Sequence, residues 1–215
     1  MAILGPLLAL AVVAAPQPIG PTNWVPPEHS PLRALRKERS GHTGFRLTVL
    51  PSGRPLRCEI EYTSGWDDLD ERTCRMLMNR ARFKPTFDPE GTPVHSVYRN
   101  VISFWIPDGP PAPLPKPSMI DVLVMRKELP AGMPEPAAVY LAITVDTAGA
   151  IGDCTPFVPE GLVDAKRVKR AFELMSESAC GYLRQHYQPT AAIDAGGQAV
   201  PSIQTARVGF TLTKK

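Results

Sequence analysis

Stretches of alternating apolar and polar residues, each followed by a change of period, organise both halves of the chain. Phe45, Leu47 and Val49 alternate with Arg46, Thr48 and Leu50, the period-two signature of a half-buried strand. Pro51, Ser52 and Gly53 turn the chain, and Leu56, Cys58, Ile60 and Tyr62 form one face of a second strand, which predicts a hairpin. Beyond Ser64 and Gly65 the spacing changes. Leu69, Thr73, Met76, Leu77 and Arg80 follow at three- and four-residue steps, predicting a helix capped by Asp67 with Asp70 three residues on. Cys74 falls near the helix face that meets the hairpin, within reach of Cys58. Pro85 ends the helical region, because its ring and missing amide hydrogen cannot continue the ladder. Gly91 and Pro93 mark a turn, and residues 94–106 read as a long third strand.

The second half repeats this order. Residues 140–145, a turn at 147–149 and residues 151–157 predict a hairpin carrying Cys154. Val168, Ala171, Phe172, Met175, Ala179, Tyr182 and Leu183 then fall on one face of a longer helix. Residues 204–213 match the long strand. Gly53, Cys58 and Gly65 recur as Gly149, Cys154 and Gly161 at a constant offset of 96, and Cys74 and Pro85 have counterparts in Cys180 and Pro189. The offset grows to 106 by Cys180, so ten extra residues lie in the second helical region. Residues 107–117 carry prolines at 107, 110, 111, 113, 115 and 117, a semi-rigid extended spacer. Residues 120–125 read as a further short strand or as extended coil. The expected fold class is α+β: two tandem small ββαβ domains, at 23–106 and 119–213, each with a helix packed on a mostly antiparallel sheet, joined by a linker over 107–118.

Composition agrees with two small units. The chain has 215 residues, of which 43% are hydrophobic and 21% charged, enough for a real core. Its 25 prolines favour turns and linkers over helical bundles. A net charge of +3 falls short of the basic stripe expected of a nucleic-acid binder.

The N-terminus bears on compartment. Residues 3–14 are apolar or small, and Val12 and Ala14 occupy the minus three and minus one positions of a signal-peptidase cut before Ala15, making 1–14 a candidate signal peptide. A cut after Ala15 is disfavoured by Pro16. The alternatives are an uncleaved short anchor, although the run is shorter than a bilayer span, and a misassigned start. Export to the periplasm changes the meaning of four cysteines, because an even count at repeating positions then reads as structural disulfides. Of three connectivities the repeat selects Cys58 with Cys74 and Cys154 with Cys180; buried free thiols are the alternative.

Catalytic and metal signatures are weak. His29, His42, His95 and His186 are scattered, with no zinc-helix spacing, and neither cysteine pair is a C-x-x-C redox motif. No nucleophile elbow or phosphate-binding glycine loop occurs. Asp67, Asp68 and Asp70 fit a helix cap and dipole better than a metal. Arg72, Arg75, Arg80, Arg82 and Lys84 read as a solvated face, with an acidic peptide or lipid headgroup as the sharper option. Trp24, Trp66 and Trp105 read as core or edge-packing residues. The chain is therefore expected to be no enzyme and to use no cofactor or metal.

Asn23, Trp24, Val25, then Ser30, Pro31, Ala34, Leu35, Gly41, residues 44–49, Gly53, Cys58, Ser64, Gly65, Leu69, Asp70, Cys74, Arg82, Phe83, Pro85, Gly91, Pro93 and Val94 together resemble the C-terminal domain of TonB. The resemblance is narrower to the cysteine-containing version in TonB-like proteins of alphaproteobacteria. The second half is a weaker match, with Tyr187 for Phe83, Gln188 for Lys84 and Ala199 for Pro93. The resemblance implies a binding role, in which an extended peptide of an outer-membrane transporter, the TonB box, adds as a strand to the edge of the small sheet. Carried onto this chain, the edge is Val97, Tyr98, Arg99, Asn100, Val101 and Ile102. Unlike a full TonB, the N-terminal run is short and lacks histidine, so an adaptor or accessory binding protein is expected rather than direct energy transduction. The other reading is a structural envelope protein whose two copies pack edge to edge, with those strands covered by the other copy or by residues 120–125.

Overall fold

A computed structural model of the chain describes residues 12–25, 37–106, 108–131, 133, 135–159 and 165–213, with side chains of the second helix described from 172 onward. The readings that fall on residues 3–11, His29, Ser30, Pro31, Ala34, Leu35, Pro107, Gly161 and the side chains of Val168 and Ala171 lie outside the described residues.

The first half runs β1 (Gly41–Val49), β2 (Pro55–Tyr62), α1 (Asp67–Arg80), β3 (Thr86–Phe87) and β4 (Pro93–Phe104). After β5 (Val122–Arg126), the second half gives β6 (Ala137–Val145), β7 (Ile151–Phe157), α2 (Ala165–His186), β8 (Ala192–Ile193), β9 (Ala199–Val200) and β10 (Ser202–Leu212). The class is α+β, two helices packed on a mostly antiparallel sheet. Both helices carry a disulfide to the preceding hairpin, Cys58–Cys74 and Cys154–Cys180, with Cα atoms 5.5 and 6.0 Å apart. At 22 residues α2 exceeds the 14-residue α1 by eight, so most of the extra length read from the offset is helical.

The sequence reading gives each half its own small sheet. Instead, among the described residues, eight strands join in one sheet whose main path is β2-β1-β4-β10-β6-β7. The seam is parallel and short: Ser202, Ile203 and Gln204 of β10 pair with His95, Ser96 and Val97 of β4. β10 then leaves β4 and pairs in parallel with β5, from Val208 opposite Val122 to Leu212 opposite Arg126.

The register fixes where the helices lie. Phe45, Leu47, Leu77, Phe83, Tyr98 and Ile102 share the core under α1, so the even residues of β4 face that helix. Val139, Leu141, Met175, Leu183, Ala206, Val208 and Phe210 share the core under α2, so the even residues of β10 face α2. Because Ile203 stands opposite Ser96, the even face of β4 continues as the odd face of β10. The two helices therefore pack on opposite faces of the sheet. This explains why β1, expected to be half-buried, is buried on both faces. Phe45, Leu47 and Val49 lie under α1, while Arg46 on the other face donates to the Thr190 carbonyl of the second half (2.9 Å) and to Glu59 (2.9 Å).

The repeated turn glycines have a shared mechanical reason. Gly53 has φ +80°, and a Cβ built there would sit 2.0 Å from the Phe83 carbonyl oxygen; Gly149 has φ +84° with the Pro189 carbonyl at 2.7 Å. Gly53→Ala is expected to lower stability by about 2 kcal/mol or more, from left-handed strain plus a backbone clash. Gly91→Ala, with φ +82° and nothing within 4 Å, should lose only the strain, about 1 kcal/mol. Urea midpoints of the two variants check the difference.

Candidate binding edge

The sheet's two outer edges are protected by composition. β2 carries Arg57, Glu59 and Glu61, and β7 contains Pro156, devices that discourage further pairing. The edge where β4 parts from β10 is different. Val97, placed in the candidate edge by sequence, is fully buried and paired with Gln204, so it belongs to the seam between halves. Residues 98–102 pair with β1 on one side, and among the described residues have no ladder partner on the other.

The local geometry shows which backbone groups face that open side. The Val101 amide donates to Asn100 Oδ1 at 2.8 Å, which sets that amide on the side away from β1. Successive residues of an antiparallel strand turn to opposite edges, so Arg99 and Ser103 share that side. Asn100 Nδ2 in turn donates to the Tyr98 hydroxyl at 2.8 Å. The Tyr98 ring lies in an aromatic cluster with Trp24, Phe45 and Phe83. Its burial raises its pKa, opposed by the Asn100 hydrogen bond and by Arg207. Of the sequence-predicted edge, Tyr98 and Ile102 anchor the strand beneath α1, and Asn100 and Val101 lie on the open stretch.

Arg99 points the other way and closes the base of the notch. Its guanidinium pairs with Glu61 (2.8 Å) and with Asp121. Asp121 also accepts the Arg207 amide (2.8 Å) and donates its own amide to the Arg207 carbonyl (2.9 Å). Burial disfavours the Arg99 cation, but Asp121 and Glu61 more than offset this and hold its pKa above the ordinary arginine range. Burial, reinforced by Asp121, pushes the nearby Tyr187 phenol up to about 12. Sequence reasoning missed Glu61, Asp121 and Arg207, and placed Tyr187 only as the counterpart of Phe83. Their partners are distant in the chain, and an acid preceding a short apolar run carries no local signal.

Tyr187 gives an alkaline signature. Its folded pKa lies above the unfolded value near 10, so stability is unaffected below pH 10 and falls as pH rises from 10 toward 12. The expected loss is at most about 3 kcal/mol. Tyr187→Phe should flatten that decline, measured as urea midpoints between pH 9 and 12.

Other candidates resolve into structure. Asp70 does not complete a capping box. It is buried and accepts from Thr43 (2.8 Å), Thr63 (2.6 Å) and the Ser64 amide (3.0 Å), because three donors converge where β1 and β2 meet α1. Nor does Asp67 cap the helix; it lies inside it, and Trp66 takes the cap position with no side-chain bond. Asp68 pairs with Arg39 (2.8 Å), whose guanidinium lies over Trp66. In the basic run, Arg75 pairs with Glu71 at 3.8 Å on the exposed face, and Arg82 donates to the Ala81 and Asn79 carbonyls. Trp24 is core, but Trp105 is 70% exposed, a correction to its reading as a packing residue, because β4 ends at Phe104 just before it. His42 bonds Ser103 (2.9 Å), and His186 stacks on Tyr182. Burial, with Lys116 adding, lowers the His42 pKa. Among the described residues no group of three His, Cys, Asp or Glu is placed to hold a metal ion.

Residues 27–106 match the family model of the Gram-negative bacterial TonB protein C-terminal. The match covers β1 to β4 and supports the TonB C-terminal resemblance read from the first half. No curated protein and no solved structure shows significant similarity to the chain. The TonB-like half thus contains the whole open stretch of β4, while the second half supplies β10 and Asp121 at its base.

Proposed function

We propose that this is a periplasmic, TonB-like binding protein that takes up an extended peptide of an outer-membrane transporter or other envelope partner by strand addition along residues 98–102 of β4. The observation that carries the reading is the Val101 amide, held by a neighbouring side chain where a strand ladder would supply a carbonyl. An incoming peptide offers that carbonyl, and Asn100 swings away to release it. Main-chain bonds at Arg99, Val101 and Ser103 supply affinity, and pockets for alternate side chains supply specificity. The exposed Leu123, Met125 and Trp105 lie on segments bordering the notch and are suited to apolar peptide residues. The TonB match supports an envelope role through binding, and two disulfides fit an oxidising compartment. No helix among the described residues is long and apolar enough to cross a membrane. The two halves are best viewed as diverged copies of one TonB-C-like unit, at 23–106 and 119–213, joined by the proline-rich 107–118.

A second reading, a structural envelope protein with no peptide site, draws on the β4–β10 seam, which already occupies residues 95–97. Calorimetric titration with TonB-box-like peptides separates the two. Binding weakened tenfold or more by Val101→Pro, which removes the edge amide, supports strand addition. Absence of binding at millimolar peptide supports the structural reading.

A further inference from the structure

The segment from Val13 to Ile19 is built into the folded body. Val13 is 2% exposed and packs against Ala142 and Ile203, with Val94 and Phe157 beside them. Its amide donates to Thr155 Oγ1 at 3.1 Å. Farther along, the Gln17 carbonyl accepts the Lys84 amide (3.0 Å), and the Ile19 amide donates to the Arg82 carbonyl (2.8 Å). The Ile19 carbonyl also accepts Trp24 Nε1 (3.0 Å). One end of the segment is therefore fixed on β6, β7 and β10, and the other on the loop after α1, so it straps the two halves together.

That strap conflicts with a signal-peptidase cut before Ala15. Such a cut removes Val13, uncovers the apolar slot it fills, and leaves an α-ammonium on half-buried Ala15 beside buried Pro16, where a charge is poorly solvated. Val12, by contrast, is 74% exposed and suits a charged terminus. Immediately upstream, Ala9 and Ala11 form an Ala-x-Ala pattern with the small residues that signal peptidase requires. We propose that the processed bond is Ala11–Val12, leaving Val12 as the mature N-terminus and Val13 as a retained plug. Hydrolysis breaks that peptide bond, water giving its hydroxyl to the Ala11 carboxyl and its proton to the Val12 amine. The proposal rests on the exported, periplasmic reading.

Intact mass and N-terminal sequencing of the full chain expressed in a Gram-negative host and recovered from the periplasm test it. A mature protein starting at Val12 is expected. A start at Ala15 overturns the proposal while leaving export intact, and an unprocessed chain in the cytoplasm overturns export and the proposal together. A periplasmic chain that remains unprocessed overturns the cleavage alone. A second readout is independent of sequencing. Val13→Asp should lower the melting temperature of the periplasmic protein by about 5 °C or more, whereas a protein starting at Ala15 has lost the substituted residue and melts unchanged.

Discussion

Replacing Asp121 by alanine is expected to destabilise the protein by about 3–5 kcal/mol, because it leaves the Arg99 guanidinium buried with half of its charge partners removed. The Asp121 side chain is 4% exposed and that of Arg99 13%, so water replaces little of the lost interaction. The same substitution frees the Arg207 amide, the point at which β10 exchanges β4 for β5. Its effect should therefore extend beyond stability to the geometry of the notch. Replacing Arg99 and Asp121 with Met and Leu, and Glu61 with Gln, should recover most of the loss, since uncharged groups of similar volume remove the stranded charge. Urea denaturation of the single and triple variants checks both. Equal destabilisation of the two would mean that packing, and not the uncompensated cation, sets the cost.

Loss of either disulfide is the second large effect. Cys58→Ala with Cys74→Ala, or Cys154→Ala with Cys180→Ala, should each cost about 3 kcal/mol, because the bridges close loops with sequence separations of 16 and 26. The two pairs lie in different halves, so their effects should add. A fourfold variant loses about 6 kcal/mol, comparable with the whole stability of many domains. Thermal unfolding of the single-bridge and double-bridge variants gives the comparison. Near-identical melting of all of them would show that the cores under α1 and α2 hold each half without the bridges.

The hairpins, helices and cysteine partners were legible in the sequence because each depends on local periodicity or on the internal repeat. The alternation at Phe45, Leu47 and Val49 and the three- and four-residue steps from Leu69 to Leu77 carry their own signals. Cys58 lies on a strand and Cys74 on the helix that covers it, a relation the repeat makes visible. The joining of the halves entered only as the alternative that the two copies pack edge to edge, and its position was not legible. A seam of three residue pairs between β4 and β10 leaves no pattern that distinguishes it from an open edge. Val97 looks like any apolar strand residue, and only its burial against the second half shows that it is spent there. Asp70 and Asp121 show the same limit for polar groups. Their roles depend on donors brought from Thr43, Thr63, Arg99 and Arg207 by tertiary contact, whereas sequence offers only the local precedent of a cap.

The central claim concerns one stretch of backbone, and backbone amide resonances report on it directly. The isotopically labelled mature protein should be titrated with a TonB-box-like peptide while amide shifts are followed in β2, β4 and β7. The account predicts saturable shifts concentrated at Arg99, Val101 and Ser103, with protection of the Val101 amide from exchange and little change along β2 and β7. Shifts confined to β2 or β7, or none along β4 at millimolar peptide, would contradict it.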